Sequence, residues 1–139
     1  MTVVAVVDRD RGEKVVFEAA TRADELDTDL HVVYVLEMGG FGMFELEIAE
    51  RVGIPVGLDV FRSRCASIAD SIAEGIVEEY EPVGLVGDPR EVVLEYVRKI
   101  EADSVVVSGA VDRGSSSARN SKTLIETLRD AGFEAVPVY

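Results

Sequence analysis

Five short apolar runs, Thr2–Val7, Leu30–Leu36, Pro82–Val86, Ser104–Val107 and Phe133–Tyr139, alternate with stretches whose apolar residues recur at helical spacing. The first run has no polar residue between Val3 and Val7 and stops at Asp8, the pattern of a central parallel strand covered on both faces. The cover comes from helices. Gly12–Leu26 carries Val15, Val16, Ala19 and Ala23 on one side, and 59–79 carries Ile68, Ile72, Ile76 and Val77. A third helix runs to Ile100 through Val92, Val93, Tyr96 and Val97; Asp88 is placed to cap it and Pro89 to fill its first position. A last helix is expected from about Ser121 to Ala131, after a polar loop over 110–120. Strict β-α alternation with right-handed crossovers implies one α/β domain over 1–139, a five-stranded, parallel, doubly wound sheet with helices on both faces.

The glycine-rich stretch 38–57 interrupts the pattern and holds a short helical piece around 44–51. Its Phe41, Met43, Phe44, Leu46 and Ile48 either pack onto the domain's own helices or cover a ligand crevice or partner surface.

Charge narrows the function. The chain carries 27 acidic against 14 basic residues, a net −13, which disfavours non-specific binding to nucleic acid or to an anionic membrane. Lysines are confined to Lys14, Lys99 and Lys122, and an acidic, lysine-poor surface suits a salt-rich cytoplasm. No apolar run reaches the roughly 18 to 20 residues that span a bilayer. The start of the chain has no signal-peptide pattern, so a cytoplasmic location is expected. Cys65 and His31 are the only residues of their kinds, which removes internal disulfides, thiol-protease pairs and multi-cysteine or multi-histidine metal sites. Cys65 is expected to be a buried structural thiol and His31 to flank the second strand.

Chemistry is expected beyond the carboxyl ends of the strands, where open α/β sheets bind ligands. Asp8, Gly87-Asp88-Pro89 and Ser108-Gly109 stand at three such ends. From Arg113 to Ile125 there is no acidic residue, while Arg113, Arg119 and Lys122 give a local +3 among serines, Asn120 and Thr123. Such a stretch opening a helix reads as an anion site, or as a polar loop whose hydroxyls cap the helix. No Walker-type loop, dinucleotide-binding glycine fingerprint or nucleophile elbow is present.

The segment 83–96, the run Ala102-Asp103-Ser104-Val105-Val106-Val107-Ser108-Gly109, the first strand ending at Asp8 and the second over 30–37 together resemble universal stress proteins along essentially the whole chain. The resemblance implies a Rossmann-like fold of the adenine nucleotide alpha hydrolase-like kind, with strand order 3-2-1-4-5. It also implies a homodimer, paired here through 133–139 at the sheet edge, where Pro137 fits an edge strand.

One branch of the family binds ATP through G-x-x-G, nine residues, then G-[ST]. On this chain those positions are Gly109, Asp112, Lys122 and Thr123, so two of the three glycines are replaced. The base- and ribose-contacting positions fall on Val6, Asp8, Val35 and Ser108. Val6 replaces the family's usual proline and Arg9 its usual small residue. Asp112 would set a carboxylate near the phosphates, whereas Lys122 would offer a cation. The resemblance thus implies a stress-response regulatory module that takes ATP or another adenine nucleotide without a metal site. The alternative is a dimeric interaction module of the branch that does not bind ATP. No general base or nucleophile is evident, so an enzyme is not expected beyond a slow ATPase.

Overall fold

The computed structural model describes residues 2–37, 58–114 and 122–139. The expected helical piece at 44–51, the apolar side chains of 38–57, Ser115 to Ser121 and Arg119 lie outside them.

The elements in chain order are β1 Thr2–Val7, α1 Gly12–Leu26, β2 Asp29–Leu36, α2 Leu58–Ala73, β3 Glu81–Val86, α3 Pro89–Ile100, β4 Ser104–Ser108, α4 Gly109–Gly114, α5 Leu124–Asp130 and β5 Glu134–Val138. The strands form one parallel sheet in the order β3-β2-β1-β4-β5, as the sequence implied. β1 is central and buried along its whole length. Its alternating side chains divide the core in two. Val3, Ala5 and Val7 pack with Val15, Val16 and Ala19 of α1 and Ala69 and Ala73 of α2. Val4 and Val6 pack with Val93 and Val97 of α3 and Leu124 and Leu128 of α5. Full burial of each valine or leucine among them is worth about 1.5–3 kcal/mol, so these two layers dominate stability.

The local signals for α1 and α3 hold to the residue. Asp88 accepts from the Arg90 N–H at 3.0 Å, with Pro89 in the first turn. Both helices end on left-handed residues, Asp27 and Glu101.

Three boundaries differ from expectation by more than a single residue. The helix read over 59–79 stops at Ala73, because Gly75 takes φ of +85° and Ile76 N–H turns back to the Ala73 carbonyl. The loop expected over 110–120 begins as α4, which leaves β4 without an intervening turn. The last helix starts at Leu124 rather than near Ser121, since the Thr123 hydroxyl accepts from Glu126 N–H and sets the cap there. Cys65 is buried, as its helical phase indicated.

Candidate functional site

Parallel pairing places the carboxyl ends of β2, β1 and β4 side by side, and those ends carry Val35, Asp8 and Ser108. Asp8 is half-buried just past β1, while Ser108 is fully buried at the end of β4. The Ser108 hydroxyl donates to Asp8 Oδ1 at 2.6 Å, and the Ala110 N–H donates back to the Ser108 oxygen at 3.3 Å. The first turn of α4 therefore fixes Ser108, and Ser108 fixes the carboxylate. A carboxylate has two oxygens and about four acceptor positions. Asp8 held this way retains capacity for a pair of vicinal hydroxyls.

Val6 and Val35 are apolar neighbours of this pair. The Val6 side chain lies wholly inside the core, and Val35 is half-buried against the same layer. Arg9, next to Asp8, carries its guanidinium over the Tyr34 ring, 5.9 Å from the centroid. That places Arg9 over β2 rather than over Ser108.

Gly109 follows Ser108 immediately. A Cβ at this position would run into the Tyr139 ring, so the end of the chain packs directly on the start of α4. Lys14 Nζ donates to the Tyr139 carbonyl at 3.0 Å and braces the same end from α1. Sequence reasoning passed over Tyr139 because nothing in its neighbours points to a residue thirty positions upstream.

Asp112, in α4, is buried at 7% exposure and accepts the Ile125 N–H at 2.8 Å. Thr123 caps the same helix start through Glu126. Asp112 and Thr123 are thus brought together at the first turn of α5. Lys122 is not aligned with them: its ammonium pairs with Asp130 at the far end of α5, which raises its pKa. Arg90 was also missed. Its guanidinium is held by Asp88 at 3.0 Å, which raises its pKa, and it reaches the Lys122 carbonyl at 3.4 Å, so it spans from α3 to the segment before α5. The clue was the Asp-Pro-Arg order, in which the aspartate serves as both cap and counter-ion.

Among the described residues, at least two cavities open away from the Asp8–Ser108 pair. One of about 480 Å³ lies beside Arg9, Asp10 and Glu13 against Ile68, Ser71 and Ile72 of α2. The larger, about 570 Å³, opens at the opposite end of the sheet, between the end of α1, the segment after α2 and the starts of β2 and β3. Asp24, Asp29, Glu78, Glu79 and Glu81 surround it. The chemistry of the strand ends, rather than cavity size, marks the site. Among the described residues no cluster of His, Cys, Asp and Glu is arranged to hold a metal ion, and no helix is long and apolar enough to cross a membrane.

The family model described as "Universal stress protein family" matches residues 1–118. The chain belongs to that family. Among curated proteins no match is found. Among solved structures, this universal stress protein is similar to one from Archaeoglobus fulgidus in complex with dAMP, at 24% identity and a TM-score of 0.62, covering 100% of this chain and 98% of that one. It is also similar to a universal stress protein in complex with cAMP, at 16% identity and a TM-score of 0.58, with 100% and 97% covered. UspA of Lactobacillus plantarum has 14% identity and a TM-score of 0.62, again with 100% and 97% covered. These likenesses show the fold.

Proposed function

We propose that this universal stress protein is a stress-response regulatory module that binds an adenine nucleotide at the carboxyl edge of β1, β2 and β4. The observation that carries the reading is the Asp8 carboxylate held by Ser108 at 2.6 Å where two central strands end. Asp8 accepts the ribose hydroxyls, the half-buried Val35 borders the base beside the backbone of the fully buried Val6, and Gly109, Asp112 and Thr123 lie toward the phosphate side, where Lys122 could turn only by leaving Asp130. Support comes from the dAMP and cAMP named for two structurally similar family members. The role is binding and signalling rather than turnover, in a salt-adapted cytoplasm that suits the acidic surface.

The active form is a homodimer paired through β5. That strand lies at the sheet edge, and Pro137 interrupts its donors while leaving an apolar strip that needs cover. Light scattering at micromolar concentration tests the assembly, with a mass twice that of the chain expected and a monomer contradicting it. Ligand identity is tested by denaturing protein purified without added nucleotide and analysing the supernatant by mass spectrometry, backed by thermal shift with adenosine compounds. An adenine compound released, or a raised melting temperature, is expected. Neither effect at millimolar ligand would defeat the reading.

A further inference from the structure

We propose that Tyr139 is a positioning residue for the adenine site: it holds Ser108, and through Ser108 the Asp8 carboxylate, in the orientation that receives a ribose. The inference rests on the adenine-site reading above and adds to it a residue that acts without touching the ligand.

β4 passes into α4 with no turn between them, so Ser108 closes the strand and Gly109 opens the helix. The backbone of this junction sets the direction of the Ser108 hydroxyl. That hydroxyl donates to Asp8 at 2.6 Å and accepts from the Ala110 N–H at 3.3 Å, so the residues it depends on flank Gly109. β5 pairs with β4 in parallel, with Val138 opposite Ser108, which brings Tyr139 alongside Gly109. The Tyr139 ring fills the space that a Cβ at 109 would need. Ring and junction backbone are therefore in direct contact.

Tyr139 is itself anchored from α1. Lys14, in the first turn of that helix, donates to the Tyr139 main-chain oxygen at 3.0 Å, and α1 follows the loop that carries Asp8. One residue thus ties the helix after β1 to the helix after β4, the two strands whose ends bear Asp8 and Ser108. Tyr139 is 55% exposed, so truncating it removes little buried surface and bears on the junction more than on the core. A binding group whose supports are fixed beforehand loses less freedom when the ligand arrives, and affinity depends on that support.

The test is titration calorimetry of the full chain with adenosine, on wild-type protein, Tyr139→Ala, Tyr139→Phe, Ser108→Ala and the Tyr139→Ala/Ser108→Ala double variant, each checked for folding by circular dichroism. Tyr139→Ala is expected to weaken binding by about threefold to tenfold, and Tyr139→Phe, which keeps the ring, by less than about twofold. In the Ser108→Ala background the further loss should be less than about twofold, because the residue through which Tyr139 acts is already gone. Lys14→Met alters only an exposed side chain and gives a second route to the same result, with a loss of about threefold that also vanishes in the Ser108→Ala background. Wild-type affinity in a folded Tyr139→Ala protein overturns the inference, as does a loss carried in full into the Ser108→Ala background or an equal loss in Tyr139→Phe. Failure of wild-type protein to bind adenosine would instead overturn the adenine-site reading on which this depends.

Discussion

Ser108 Oγ lies 2.6 Å from Asp8 Oδ1, joining residues a hundred positions apart across the ends of β4 and β1. Neither strand alone presents the arrangement. It exists because β1 and β4 are adjacent and parallel, with Val6 opposite Val107. Ser108→Ala is expected to leave the fold intact and to weaken ligand binding by about tenfold, because Asp8 then loses its positioning donor. Asp8 would be left to find its own orientation. Equal affinity in the alanine variant would show that Ser108 does not orient the carboxylate.

Gly109→Ala tests the contact between α4 and the end of the chain. Alanine in a helix is ordinarily favoured over glycine by about 0.5–1 kcal/mol. Here the new methyl group meets the Tyr139 ring, and overpacking of this kind costs about 1–3 kcal/mol. A lower melting temperature is expected, and it should recover when Tyr139→Ala is added. A single variant more stable than wild type would contradict the packing.

Asp88 performs two tasks that separate by mutation. Asp88→Ala removes the cap of α3 and the partner of Arg90, for a loss of about 1–2 kcal/mol. Asp88→Asn keeps an acceptor for the Arg90 N–H and is expected to lose less. Denaturant midpoints measure both, and equal losses would mean that the cap contributes little.

His31 gives stability a dependence on pH. Burial pushes its pKa below the usual value, outweighing the opposing pull of Glu81 and Asp29. The Tyr96 phenol beside Nδ1 is pushed up to about 12, chiefly by burial, so it remains the donor and the imidazole the neutral acceptor. The folded state therefore disfavours the imidazolium. Its contribution is complete above the usual histidine pKa of about 6.5 and is lost as pH falls through the lower folded value. Urea midpoints between pH 5 and 8 should fall toward the acid side in wild-type protein and flatten in His31→Gln. An unchanged slope in the variant would exclude His31 as the source.

Much of the fold was legible because each layer of evidence agreed. The valine runs, the Asp88-Pro89 start and the helical spacing of Val92, Val93, Tyr96 and Val97 all argued for the same elements. The misses came where tertiary contacts overrode local signals. Gly75 lies within an apolar helical pattern, but a positive φ there ends the helix. Asp112 read as an intruder in a phosphate loop, whereas its partner Ile125 lies thirteen residues on and is joined only once α4 and α5 are packed. The charge of Lys122 was visible in sequence, whereas its pairing with Asp130 was not.

The central claim is that Asp8 carries the ligand, and calorimetry with adenosine on wild-type protein and Asp8→Ala tests it most directly. Wild-type protein should bind. The variant should lose at least about a hundredfold in affinity, the loss expected from two hydrogen bonds to a charged acceptor at about 1.5–3 kcal/mol each, while remaining folded by circular dichroism. A folded Asp8→Ala protein that binds adenosine as tightly as wild type would contradict the account.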